Sequence, residues 1–199
     1  YQLTTYFDGA VGADPRIAPF WIDLESAPQF GGGVYINNTI PGKFVVTWLN
    51  TVEWATQGPA FTVQAQLFAN GDVKFFYNAS VYGISVPFSP QFVSRCGLSE
   101  GNGVVATPPV DLSTGPINLA SHYMLEEFPQ NVFDLQNTTL QFVHAGTGYV
   151  CVPGPCVPAA NINYGSGCYD ISNSFYQYFT DASTINTLNG QSMVMTPVG

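Results

Sequence analysis

The sequence predicts an all-β protein, a two-sheet antiparallel β-sandwich with little helix and an extended C-terminal tail. Three observations predict it: runs rich in β-branched and aromatic residues, Gly, Pro and Asn between these runs, and a scarcity of charge. Only 9% of the 199 residues are charged, against roughly a quarter in an average soluble protein, while 15% are aromatic. Such a chain is long enough to bury a core, and its surface must be covered mostly by uncharged polar side chains.

The predicted strands follow one another along most of the chain. Each is a short run in which apolar residues alternate with polar ones or in which β-branched and aromatic residues dominate. Such runs occupy residues 34–36, 43–50, 61–68, 72–77, 92–98 and 138–143.

One hairpin and two helical turns complete the local prediction. Asn70-Gly71 lies between two of the alternating runs, and both residues tolerate the positive φ that a type I′ turn requires, so we expect a hairpin there. Helical patterns are confined to about one turn each at 121–128 and 172–179.

The sequence divides into three predicted parts. Residues 1–147 form the sandwich domain, residues 148–160 a Pro- and Cys-rich linker, and residues 161–199 a C-terminal extension. Because the extension is too short and too polar to build its own core, we expect it to dock on the same or a neighbouring subunit.

The charge balance excludes several classes of partner. Four basic residues face thirteen acidic ones, which gives a formal charge of -9. Nucleic acids and anionic membranes require a Lys/Arg footprint that four residues cannot supply. No apolar run reaches the roughly 18 residues of a transmembrane helix, so membrane insertion is not expected either.

Four motifs follow one another within residues 17–75 in an order that is typical of a known family. The resemblance rests on an apolar-Pro-Phe-Trp-x-Asp segment, a Gly-Val-Tyr strand, a Val-Thr-Trp strand and a long hairpin that turns on Asn-Gly, in this order, at residues 17–25, 32–35, 44–48 and 61–75. Together these motifs resemble the nidogen-like (NIDO) extracellular domain found in bacterial secreted and cell-surface proteins. The resemblance covers roughly residues 14–143. It implies a secreted or cell-surface structural or adhesive module without catalytic activity.

The same resemblance suggests how copies of the chain associate. Family members usually have strands ahead of the position of Tyr1, so we expect a sandwich that lacks N-terminal strands. Met193, Val194 and Met195 form a spare apolar segment that a neighbour could accept as a donated strand. Such head-to-tail donation builds a filament of identical subunits. The alternatives are a tail that folds back on its own domain, and a carbohydrate-binding module that takes glycans as partners and displays a row of exposed aromatic rings.

Candidate chemistry is sparse in the sequence, and we expect no catalytic or cofactor-binding residues. Asp23 and Glu25 share one side of a predicted strand, where neighbouring carboxylates are poorly placed to flank a glycosidic bond. Asp8, Asp14 and Asp23 could supply oxygen ligands to calcium, although no known calcium-loop spacing is present.

Four cysteines indicate oxidised pairs rather than a zinc site, which agrees with an extracellular location. A turn centred on Pro153 and Gly154 would bring Cys151 and Cys156 together and leave Cys96 for Cys168, although all three pairings remain open. Asn-x-Ser/Thr glycosylation sequons occur at Asn37, Asn78 and Asn137.

Overall fold

The computed structural model describes residues 16–22, 24–26, 32–53, 60–77, 94–99, 109–119, 123–128, 133–146 and 148–155. These residues form strands and turns, and none of them is helical. The strands are β1 (Arg16–Trp21), β2 (Leu24–Ser26), β3 (Gly33–Asn37), β4 (Lys43–Glu53), β5 (Phe61–Phe68), β6 (Val73–Tyr77), β7 (Ser94–Ser99), β8 (Ile117–Leu119), β9 (Tyr123–Phe128), β10 (Thr138–Ala145) and β11 (Gly148–Pro155).

The strands form two antiparallel sheets, as the sequence predicts. The smaller sheet has three strands in the order β1-β7-β9. The larger has eight: seven follow the order β2-β4-β5-β6-β10-β11-β8, and β3 pairs with β4 beside β2. No helix within the described ranges is long and apolar enough to cross a bilayer.

The core lies between the two sheets. Alternate residues of β5 and β6 point towards the smaller sheet, so that Val63 and Phe75 are completely buried, and Phe20 on β1 meets them from the other side. The Tyr77 hydroxyl donates a 2.7 Å hydrogen bond to the carbonyl oxygen of Pro19, which joins β6 to β1. A group of edge-to-face rings fills the space, and Phe133 contacts both Phe20 and Tyr77. The predicted alternation therefore correctly identifies the side of the central strands that faces the core between the sheets.

The predicted hairpin at Asn70-Gly71 is present, but its turn is of another type. Of these two residues only Gly71 has a positive φ, at 91°. The amide of Gly71 donates to the carbonyl oxygen of Phe68, and the amide of Phe68 donates to the carbonyl oxygen of Asp72. This is the three-residue loop in which a type I turn is followed by a bulged glycine, so the prediction of a type I′ turn is wrong.

Two further local predictions are wrong. Residues 123–128, expected within a helical turn, form strand β9, because pairing with β7 along its whole length outweighs the local helical pattern. Residues 148–155, expected as the start of a linker, form strand β11 and pair with β10 from Ala145↔Gly148 to Thr138↔Pro155. The second predicted helical turn, at 172–179, lies outside the described residues.

Candidate functional site

Three carboxylates converge beside the core. Asp111 lies in the turn before β8, Glu126 on β9, and Asp134 in the segment before β10. Oxygen atoms of the three side chains lie within 4.8 Å of one another. Asp111 and Asp134 are exposed, whereas Glu126 has only 7% of its surface accessible. We call these three residues the carboxylate cluster.

Backbone and hydroxyl donors hold the carboxylate cluster in place. The Leu112 amide donates a 3.1 Å hydrogen bond to Glu126 Oε2. The Ser113 hydroxyl donates to Asp111 Oδ1 at 2.6 Å and lies 3.2 Å from Asp134 Oδ2. Leu112 is itself completely buried, so it anchors this turn in the core.

The environment of Glu126 favours its protonated form. Burial is the main cause that raises the pKa of Glu126 to about 8, and the negative charge of Asp134 adds to it. The hydrogen bond from the Leu112 amide acts in the opposite direction, because it favours the charged carboxylate. At neutral pH Glu126 therefore mostly keeps its proton and can donate it to a neighbouring carboxylate oxygen of Asp134.

Chemically, the carboxylate cluster can share protons and can present oxygen atoms to a hard cation. Calcium needs six to eight oxygen ligands, more than three single carboxylate oxygens supply. The buried member already accepts a hydrogen bond from the Leu112 amide. We therefore interpret the cluster as a proton-sharing group that ties the turn before β8 to β9.

A second feature lies on the opposite face of the larger sheet. On this outer face four polar side chains form a ladder across β4 and β5: Lys43 Nζ donates to Gln66, Gln66 to Gln64, and Gln64 to Thr47, at 3.3, 2.6 and 2.7 Å. Gln64 is completely buried, and Thr47 and Gln66 are each 4% exposed. We call these four residues the polar ladder.

The two lysines of the chain lie at one end of the polar ladder. Lys43 Nζ and Lys74 Nζ lie 5.9 and 5.7 Å from the centre of the Phe68 ring. Lys43 is on β4 and Lys74 on β6, both inside the larger sheet. They therefore place positive charge on the outer face of an otherwise acidic chain rather than protecting a sheet edge.

The aromatic residues of the predicted strands mostly serve the core. Phe75 and Tyr77 have no exposed surface, and Trp48 packs against the core from β4. Among side chains that the structure describes, the exposed large hydrophobic ones are Ile17 and Val152, both aliphatic. The described surface thus lacks the row of exposed rings that a carbohydrate-binding module would display.

Of the predicted metal and assembly residues and the neighbouring carboxylate Glu25, only Glu25 belongs to the described part of the chain. The calcium candidates Asp8, Asp14 and Asp23 lie outside the described residues, as do the strand-donor candidates Met193, Val194 and Met195. Glu25 is half-buried on β2. The carboxylates that do converge were not among the candidates, because their proximity depends on the contact between the turn before β8 and β9, which sequence spacing does not reveal.

The three sequons differ in their surroundings. The Asn37 side chain is 6% exposed, and its oxygen accepts hydrogen bonds from the Thr39 amide and hydroxyl, both at 2.9 Å. Asn137 is exposed in the turn before β10, with a φ of 56°. Asn78 lies outside the described residues. Of the two described sequons, only Asn137 is accessible to a glycosyl group.

The cysteines are placed differently from the predicted turn. Pro153 and Gly154 lie within β11, so this segment is extended and does not turn back. Cys151 and Cys96 are both buried and carry free thiols, and Cys156 and Cys168 lie outside the described residues.

Comparison with known proteins gives no relatives. No family model, no curated protein and no solved structure matches this chain.

Proposed function

We propose that this chain is an extracellular structural or adhesive module without catalytic activity, which associates with other copies of itself or with other extracellular proteins through its sheet surfaces. The resemblance of its motifs to the nidogen-like domain supports this proposal, as does the architecture of two antiparallel sheets. More specifically, we propose that the chain is a subunit of a surface filament or matrix, and that the end of one chain completes a sheet of a neighbouring copy.

The burial of the polar ladder is the observation that carries the proposal. The smaller sheet packs on the inner side of β5 and β6, where Val63 and Phe75 lie. Because side chains alternate along a strand, Gln64 points away from that contact. Its complete burial within the single chain indicates that another segment of this chain covers the outer face.

We propose that this covering segment is the C-terminal extension, residues 161–199, of the same chain, and that a neighbouring copy provides it where copies exchange their extensions. Charge complementarity supports this assignment. Both lysines of the chain lie on the outer face, whereas the extension contains Asp170 and Asp181 and no Lys or Arg. The extension is also rich in Asn, Ser, Thr and Gln, which can pair with the buried amides of the polar ladder.

Carbodiimide cross-linking of the full chain tests this proposal. The reagent joins a lysine amine to a nearby carboxylate as an amide, with loss of water. We expect links from Lys43 or Lys74 to Asp170 or Asp181. Lys43→Gln and Lys74→Gln are the matched controls, and each should remove only its own links.

A mixture of isotopically light and heavy chains shows which subunit provides the extension. Mixed-mass links would place it on a neighbouring copy, and we then expect sedimentation to detect oligomers. Links only within one chain, together with a monodisperse monomer, would overturn assembly by donation of the extension. If neither lysine links to the extension, the docking assignment is wrong.

A further inference from the structure

Strand β3 lies at one edge of the larger sheet. It pairs with β4 along its whole length, and none of the described strands pairs with its other side. Its residues, Gly-Val-Tyr-Ile-Asn, include neither a proline nor a charged side chain, and the central three are of the types that strands favour. We call the side of β3 that faces away from β4 the β3 edge.

The strand register shows which backbone groups point to the β3 edge. The Ala69 amide donates to the carbonyl oxygen of Gly42, directly before β4. Because backbone groups alternate in direction along a strand, even-numbered residues in the regular part of β4 bond to β5 and odd-numbered ones to β3. Odd-numbered residues of β4 lie opposite odd-numbered residues of β3. The N–H and C=O groups of Val34 and Ile36 therefore point outwards.

The other edges of the larger sheet are poorly suited to strand addition. Strand β2 is three residues long and carries Glu25. Strand β8 is also three residues long, and the part of β11 beyond it contains Pro153 and Pro155, which have no N–H to donate. Short strands, charges and prolines all deter the pairing of edges.

Both edges of the smaller sheet are obstructed as well. On β1, Pro19 has no N–H, and its carbonyl oxygen accepts the hydrogen bond from Tyr77. On β9, the carbonyl oxygen of Leu125 accepts a hydrogen bond from the Val110 amide. Of the described strand edges, the β3 edge is thus the one without such an obstacle.

Two copies of the β3 edge complement each other. When two such strands run antiparallel with Tyr35 opposite Tyr35 of the second copy, Val34 lies opposite Ile36 of the second copy, and the outward N–H and C=O groups of both strands are paired. Val34 lies opposite Trp48, which packs against the core, so Val34 and Ile36 extend the apolar side of the sheet. Because β3 is uncharged, no like charges meet.

We propose that two copies of this chain join edge to edge through β3, with their Tyr35 residues opposite each other, so that their larger sheets become one continuous sheet. This inference rests on the proposed function, because it names a surface through which copies associate. A two-fold contact closes on itself and gives a dimer, so growth into a filament still requires exchange of the extension. Because the contact is a single strand pair, the dimer is weak.

A cross-link at position 35 tests the register. In a pair of opposite residues that are not hydrogen-bonded to each other, the Cα atoms lie about 4.5 Å apart, which a disulfide can bridge. Tyr35→Cys is introduced into the full chain together with Cys156→Ser and Cys168→Ser, so that Cys96 and Cys151, both buried, are the native cysteines that remain. With diamide as the oxidant, we expect a covalent dimer linked through position 35 of both copies.

Asn38→Cys in the same background is the matched control. Position 38 is exposed, but in this register it lies opposite residue 32 of the second copy, about 20 Å from its own counterpart. We expect little covalent dimer from this variant. Equal yields of dimer at positions 35 and 38 would overturn the proposal, because they would indicate random collision.

Opposite charges at position 35 give a second, independent test by sedimentation. Wild type should form dimers whose fraction rises with concentration. Tyr35→Lys and Tyr35→Glu should each remain monomeric, because two like charges would lie directly opposite each other. An equal mixture of the two variants should dimerise again, which a variant that fails to fold cannot do. A mixture that stays monomeric, or a wild type that stays monomeric at its highest soluble concentration, would overturn the proposal.

Hydrogen exchange in dilute wild type shows whether the same chain already covers the β3 edge. We expect rapid exchange of the Val34 and Ile36 amides in the monomer, and slow exchange would overturn the proposal. The links from Lys43 or Lys74 to the extension do not depend on β3. Those links without a dimer at position 35 would reject this inference and leave the docking of the extension intact, whereas the reverse result would reject that docking alone.

Discussion

Replacement of Glu126 by Gln should abolish one pH-dependent part of the stability. Gln resembles the protonated carboxyl group in shape, and it can still accept from the Leu112 amide and donate to Asp134. In wild type the proton on Glu126 contributes to stability at neutral pH, because burial and the charge of Asp134 raise the pKa of this side chain to about 8. The variant has no group that titrates at this position.

The direction of the pH dependence of stability follows from the direction of the pKa shift of Glu126. Because the pKa of Glu126 is raised in the folded state, its favourable contribution is complete below the ordinary value of 4.5 and is lost as the pH rises to about 8. A tenfold change in proton affinity corresponds to about 1.4 kcal/mol, so the interval from 4.5 to about 8 sets an upper limit of about 5 kcal/mol. Between pH 5 and 8, after allowance for screening at the exposed Asp111 and Asp134, we expect wild type to lose about 2 to 3 kcal/mol relative to Glu126→Gln.

Urea denaturation across this pH range measures the effect. The informative quantity is the difference in the free energy of unfolding between wild type and Glu126→Gln at each pH, because other groups titrate as well. Asp72, for example, has a pKa that is lowered chiefly by the hydrogen bond from the His144 amide, and it acts on stability at lower pH. Glu127→Gln is the matched control, since Glu127 pairs with Arg95 instead.

A constant difference between wild type and Glu126→Gln would refute the reasoning. If that difference changes by less than about 0.5 kcal/mol from pH 5 to 8, Glu126 is not held protonated by its surroundings. Asp134→Asn provides a second check, because removing the neighbouring charge should move the loss of stability to lower pH.

Two further predictions concern the core and are measured by urea denaturation. Tyr77→Phe should cost about 1 to 3 kcal/mol, because it leaves the buried carbonyl group on β1 without its donor; a loss below about 0.5 kcal/mol would contradict this. Leu140→Ala should cost about 2 to 5 kcal/mol because Leu140 is completely buried, whereas Val152→Ala on the surface should cost less than about 1 kcal/mol; equal losses would contradict the assigned faces.

The sequence predicts the central strands well because their pattern is local. In β5 the predicted bounds, 61–68, coincide with the observed strand. Alternation alone identifies Val63 and Ala65 as core residues, and both are buried. Each of these predictions depends only on residues within one strand and on the hairpin at Gly71, so no knowledge of distant pairing is needed.

Elements that depend on distant partners were predicted less well. β9 contains Met124, Leu125 and two glutamates, which favour a helix locally, yet pairing with β7 makes it a strand. β11 contains Pro153 and Pro155, which indicate a break, yet β11 pairs with β10 on one side and with β8 only from Tyr149 to Cys151 on the other. A proline has no backbone N–H and cannot donate a hydrogen bond to a neighbouring strand. Where no strand lies beside it, no such bond is lost, which explains how the sheet accommodates Pro153 and Pro155.

The carboxylate cluster and the polar ladder together explain how so few charges suffice for this fold. Glu126 is buried mostly without its charge, because protonation avoids the cost of burying an ion. On the other face, the buried amides of Gln64 and Gln66 bond to each other and to Thr47 and Lys43. In both sets the completely or nearly buried members carry little charge, and for the polar ladder that is the property we expect of an outer face that is covered by another segment.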